Sequence, residues 1–272
     1  MKRLTCLWAA SVLFLLAAAS PALAENPLPS HQVRMGYRLM SFDYSEPGLM
    51  DETGWLNGAF ADLTYHTKGG WMLRGELELL GGTLDYDGQY QDGTPISRDT
   101  DDVLFGARLL VGRDYSLDDA TALTAFAGVG YRAWDDTING SGGYERNIRQ
   151  VYMPVGLELT HAYDASWKTG VRGEYDLFLG GQVKSHLNQA VAGLNTLTND
   201  QDFGKGYGLR FSLFVEKRMD AGWSMGVEPY FRYWNIDKSS TSTVTFNNQP
   251  VAYGWEPKNE TTQMGLSLYV AF

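Results

Sequence analysis

Few side chains in this sequence have the types and spacing that chemistry needs. Asp85 and Asp87 flank Tyr86, and together with His186 they are the residue types that pass protons to and from an attacking water. Only the fold could bring them together, and Lys184 rather than a carboxylate stands two residues before the histidine. His66 and His161 fall at turn ends, where they read as interface residues rather than as part of the Ser or His set a lipid-cleaving site would use. Asp85, Asp87 and Asp92, with Gly88 and Gly93, approach the spacing of a calcium loop. Gln89 occupies the third ligand position, so a solvated acidic loop is the simpler reading. No catalytic residue, metal site or cofactor is assigned.

A larger charged set is regular. Arg34, Arg38, Arg74, Arg108, Arg132, Lys168, Arg172, Arg210 and Arg232, with Asp62, Glu76, Glu78, Glu158, Glu174, Asp176, Glu216 and Glu228, lie in stretches where apolar and polar residues alternate. Strand side chains alternate with period 2, so each of these falls on the face opposite the apolar one. Facing lipid, each could cost up to about 4 kcal/mol at the bilayer midplane. Inside a narrow closed barrel, nine bases and eight acids pair across neighbouring strands with charge-assisted hydrogen bonds and fill the bore.

The elements that would position this set are ten alternating stretches, spanning 33–43, 55–66, 71–83, 103–113, 121–133, 148–161, 167–179, 206–217, 223–236 and 261–272. The last shows the pattern best, with Met264, Leu266, Leu268, Val270 and Phe272 opposite Gln263, Gly265, Ser267, Tyr269 and Ala271. Connections alternate in length, about 11, 19, 14, 26 and 24 residues against about 4, 7, 5 and 5. Long loops on one side and short turns on the other are the asymmetry of a single up-and-down antiparallel transmembrane β-barrel, with long loops extracellular, and short turns and both termini periplasmic. A soluble barrel also alternates, with its apolar face inward. Strand length favours the membrane, since a tilted strand crosses the hydrocarbon in about 9 to 11 residues. The aromatics agree: Trp71, Trp167, Trp223, Tyr65 and Phe272 gather at the turn ends, and Tyr131, Tyr175 and Tyr233 near the loop ends.

Composition narrows the setting. Lys2 and Arg3, the apolar run Leu7 to Ala19 and the small residues Ala22-Leu23-Ala24 read as a cleaved secretory signal over 1–24, leaving a barrel domain over 25–272. Cleavage removes Cys6, so no disulfide or thiolate chemistry is expected. Taking Lys2 and Arg3 from the 22 basic residues leaves 20 against 32 acidic ones, a net charge of −12, which excludes nucleic acid as a partner.

Several motifs carry a resemblance. Gly128-Val129-Gly130-Tyr131-Arg132 with Trp134, Gly143-Tyr144-Glu145-Arg146, Pro154-Val155-Gly156-Leu157, Pro229-Tyr230-Phe231-Arg232-Tyr233-Trp234 and the closing strand resemble opacity-protein-like or porin-like outer-membrane barrels of Gram-negative bacteria. The resemblance implies location in the outer membrane, contact with its lipid and lipopolysaccharide, and Phe272 as a signal read by the barrel-assembly machinery. Ten strands are also similar to omptins, outer-membrane proteases with paired aspartates and an Asp/His pair across the barrel mouth, from which Lys184 departs. The expectation is a non-enzymatic surface protein, structural or interacting through its loops, with a charge-paired and largely filled lumen. The alternatives are a narrow porin for small solutes, then an omptin-like hydrolase.

Overall fold

The alternating stretches form ten long antiparallel strands closed into one barrel in the computed structural model, which describes residues 28–89 and 93–272. The expected signal over 1–24 and the start at Glu25, like Asp92 of the acidic loop, lie outside the described residues. In chain order the elements are β1 (His31–Glu46), β2 (Met50–His66), β3 (Trp71–Gln89), β4 (Pro95–Ser116), β5 (Thr121–Ile138), β6 (Glu145–Ala162), β7 (Trp167–Ser185), α1 (Leu187–Ala190), β8 (Leu197–Gln201), β9 (Gly206–Arg218), β10 (Ser224–Ile236), β11 (Ser242–Phe246), β12 (Gln249–Gly254) and β13 (Asn259–Ala271). Each barrel strand pairs with the next, and β13 returns to β1 with Arg34 opposite Ala271 and Ser45 opposite Glu260, so no barrel edge is left open. Phe272 and Val33 exchange backbone hydrogen bonds of 2.9 and 3.0 Å at the seam.

The apolar face points outward. Leu63, Leu73, Leu77, Leu79, Leu109, Leu268 and Met264 are each at least half exposed, whereas the charged side chains beside them, such as Asp62, Arg74, Glu76 and Arg108, are buried or nearly so. A soluble barrel has the reverse arrangement, so this belt is the lipid-facing surface of a transmembrane barrel. Trp71, Trp167, Tyr65 and Phe272 sit exposed at the turn end, and Tyr131 and Tyr175 near the loop end.

Two features differ from the sequence reading. Much of the stretch Asp85 to Asp102, expected as a loop, instead prolongs β3 as far as Gln89 and starts β4 at Pro95, with Asp85 opposite Asp99 and Gln89 opposite Pro95. Strands of 19 and 22 residues exceed what a bilayer needs, so this hairpin projects beyond it. The two longest expected loops also carry structure: α1 and β8 lie in one and the β11–β12 hairpin in the other. β7 also carries a bulge. Between Val151 and Tyr152 the register against β7 slips by one residue, and Gly180 there adopts φ +148, a value L side chains rarely take. The slip changes the inward phase of β7 from Asp176 and Phe178 to Val183 and Ser185.

Large rings fill the interior together with the charges. Phe42, Leu56, Leu84, Leu104 and Trp134 form a buried cluster, with Phe42 and Tyr44 edge-on to the Trp134 ring at 5.1 and 4.9 Å. Tyr230 lies over its cross-strand neighbour Gly265, where a methyl group would overlap the phenol ring.

Candidate functional site

The inward positions of the ten strands build two polar layers, one in the bore and one beneath the loops. In the bore Arg34 reaches Asp62 at 2.6 Å and Glu228 at 3.2 Å. Arg74 grips Glu158 with two hydrogen bonds of 2.7 and 3.0 Å and donates a third, of 3.0 Å, to Thr64. Glu76 accepts from Arg108 and, at 2.9 Å, from both terminal nitrogens of Arg172. Glu78 is shared by Arg38 and Arg232, the latter at 2.7 Å. Arg108 also meets Glu174 at 2.5 Å, and Arg210 meets Asp176 at 2.9 Å and Glu174 at 3.3 Å. Lys168 pairs with Glu216 at 3.0 Å near the turn end.

Of the seventeen charged residues expected inside, the structure brings all but Arg132 into an ion pair. Arg132 is buried, has no carboxylate partner among the described residues, donates one hydrogen bond of 3.0 Å to Gln150, and lies 5.9 and 5.8 Å from the Trp134 and Trp234 ring centres. Buried ions in a low-dielectric interior persist when paired in this way. Among the described residues, cavities of about 40 and 20 Å³ open between them, room for a few waters.

The second layer escaped the sequence reading. Arg146 on β6 is surrounded by four carboxylates: Asp136 at 2.5 Å, Glu52 at 3.1 Å, Glu46 at 3.3 Å and Glu256 at 3.9 Å. They come from β5, β2, β1 and the segment before β13, all regions treated as loops or loop margins. The signal was in the sequence, because Glu52 keeps phase with Leu56, Asp136 with Trp134, and Arg146 with Ile148. Tyr44 donates hydrogen bonds of 2.9 and 3.1 Å to Glu46 and Glu256. Burial, with the charge of Glu46 adding to it against the pull of Arg146, pushes the Glu256 carboxyl up to about 7. Above this layer opens a vestibule of about 530 Å³, with Tyr86, Tyr144, Leu197 and Trp255 among its walls.

The remaining histidines and aspartates do not converge. His186 contacts Asn147 Oδ1 at 2.7 Å and Thr196 Oγ1 at 3.4 Å, and Asp85 and Asp87 are exposed on the outside of β3. His161 bonds the Thr121 hydroxyl at 2.9 Å and packs on Tyr163 at the turn end. His66 corrects the interface reading: it turns inward, buried, with Nδ1 2.6 Å from Asp114 Oδ2, while Thr124 donates 2.7 Å to Asp114 Oδ1. Among the described residues no group of three or more His, Cys, Asp or Glu is placed to hold a metal ion.

Known proteins agree with this architecture. The sequence profile of the outer membrane protein beta-barrel domain matches residues 10–195. No curated protein sequence matches the chain. Among solved structures, the outer membrane protease OmpT of Escherichia coli aligns over 89% of this chain and 95% of its own at 10% identity, with a TM-score of 0.60. The translocator domain of the autotransporter NalP from Neisseria meningitidis aligns over 97% and 96% at 12% identity and a TM-score of 0.41. The attachment invasion locus protein Ail of Yersinia pestis aligns over 90% and 100% at 7% identity and a TM-score of 0.34. At such identity the OmpT likeness speaks to fold alone. The profile match, the closed ten-strand barrel and the outward apolar belt make the chain a member of the outer membrane protein beta-barrel family, seated in the outer membrane of a Gram-negative bacterium.

Proposed function

We propose that the protein is a surface-exposed barrel that neither conducts solutes nor catalyses a reaction, and that its loops rather than its bore do its work. The observation that carries this reading is the packed interior, where interlocked ion pairs and aromatic rings leave cavities of about 40 and 20 Å³ at mid-height. A sugar or amino acid would have to displace several paired guanidinium groups to pass. Its partners on this reading are the lipid and lipopolysaccharide around the apolar belt, the assembly machinery that reads the strand ending in Phe272, and a ligand held by the loops.

A narrow porin is the alternative, and a hydrolase the next. For the hydrolase, fold likeness to a protease is the only support, and the hydrogen bonds of His186 run to an amide and a hydroxyl. Liposome swelling separates the first two: vesicles carrying the refolded protein should swell no faster in arabinose than empty vesicles. Swelling at a porin-like rate would replace this reading with the alternative.

A further inference from the structure

We infer that the vestibule beneath the loops is a binding site for a small organic cation, an ammonium group carried on an apolar body. The inference rests on the reading that the loop side binds while the bore below stays closed, and it names the ligand chemistry.

The floor of the site has an excess of negative charge. Arg146 faces Glu46, Glu52, Asp136 and Glu256, and even with burial favouring the neutral form of Glu52, one guanidinium stands against three further acidic groups. Glu52 and Asp136 are fully buried, and each uses one oxygen on Arg146. Their other oxygens, Glu52 Oε1 and Asp136 Oδ1, have no hydrogen-bond partner among the described residues. A buried carboxylate oxygen left unpartnered is costly; neither residue reaches the cavity wall, so an entering cation offsets their charge from beside Glu46, Arg146 and Glu256, which do. Glu46, Arg146 and Glu256 line both the ion cluster and the cavity, so the two are continuous.

The walls select the kind of cation. The cavity, about 530 Å³, falls in the range that holds a small molecule, and Tyr86, Tyr144, Tyr253 and Trp255 present aromatic surface to it. Aromatic faces attract cations through the ring quadrupole. The rim already shows this chemistry, with the Lys238 ammonium 3.8 Å from the Trp255 ring centre. An inorganic ion would use the carboxylates and leave the apolar walls wet. An organic anion would meet the charge excess head-on.

The probe is phenethylammonium, titrated calorimetrically into the refolded full chain in detergent micelles at pH 8, beside 2-phenylethanol, which matches its apolar body without charge. Saturable binding of the amine, at least tenfold tighter than the alcohol, is expected. Glu256→Gln should weaken it at least tenfold, and Trp255→Ala, a rim change outside the ion cluster, several-fold. Affinity should fall from pH 8 to pH 5 as protons compete for Glu256, which faces Glu46 and Tyr44 on β1, Asp136 on β5 and Arg146 on β6. No saturable binding to the unmodified protein, equal binding of the alcohol, or unchanged affinity in both variants would overturn the inference. A closed bore without amine binding sinks this site and spares the closed-bore reading; a conducting bore with saturable amine binding does the reverse.

Discussion

Replacing Arg172 by Ala tests whether the interior charges act as a cohesive network. Arg172 donates two hydrogen bonds of 2.9 Å to Glu76, lies 3.7 Å from Glu158 and 3.8 Å from Glu174, and stacks 4.7 Å above the Phe126 ring centre. Removing one member of a buried pair typically costs about 3–5 kcal/mol, because the partner is left charged and unpaired. Here Glu76 keeps Arg108, Glu158 keeps Arg74, and Glu174 keeps Arg108 and Arg210. The network therefore cushions the loss, and about 2–4 kcal/mol is expected, including lost packing on Phe126. With a urea slope of roughly 2 kcal/mol per molar, the unfolding midpoint should fall by about 1–2 M. Tryptophan fluorescence in micelles reads the transition. Arg149→Ala is the control, because its pair with Asp135 is about a third exposed on each side and should contribute at most about 1 kcal/mol. Equal midpoints for the two variants would refute the reasoning, since a solvated open lumen would treat both arginines alike.

Three further outcomes follow from particular contacts. Gly265→Val should press on both the Tyr230 ring and the Leu39 carbonyl oxygen of β1 and reduce heat-resistant folding on gels, a loss that Tyr230→Ala, which frees only the ring, does not fully restore; a Gly265→Val variant that folds normally would show that the site has room the structure denies it. Glu256 has its carboxyl held at about 7, above its unfolded value near 4.3, so the folded mouth binds the extra proton. Its contribution is greatest below about 4.3, is lost as pH rises toward 7, and is constant above that. Amide exchange in residues 239–257, corrected for intrinsic rates, should show more protection at pH 5 than at pH 8. Glu256→Gln should flatten that difference, and an undiminished difference in the variant would move the cause elsewhere. Deleting Phe272 should lower outer-membrane levels, because the residue closes the seam with Val33 and ends the strand proposed to be read during assembly; unchanged levels would contradict this.

The barrel was legible because its turns are short and its lipid face imposes strict alternation. The turn ends of the expected strands agree with the structure to within three residues, with matches at Trp71, Thr121 and Trp167 and the largest difference at the end of β4. The loop ends were harder to read. Asp and Gly have low strand propensity, so Asp85, Asp87 and Gly88 read as loop, although cross-strand pairing outside the bilayer holds them in β3. The Arg146 cluster was hidden for the same reason: its members lie in segments without a lipid-facing partner row, where alternation looked broken. Gly180 accounts for another gap, since a one-residue slip in β7 reverses its inward phase and no periodicity announces it. Arg132 shows the limit from the other side. Its position pointed inward like the other arginines, but which residues stand opposite depends on strand tilt, and it meets Gln150 and two indoles rather than an acid.

The central claim is that paired charges close the bore, and planar-bilayer conductance of the refolded protein tests it most directly. With Arg108, Arg172, Arg210 and Arg232 interlocked around Glu76, Glu78 and Glu174, the account predicts no steady single-channel steps above the bare bilayer at neutral pH in 1 M potassium chloride, on the order of the salt at which surface charges are screened within about 3 Å. A large, steady, ion-selective conductance would contradict it and make the same charges the lining of a channel.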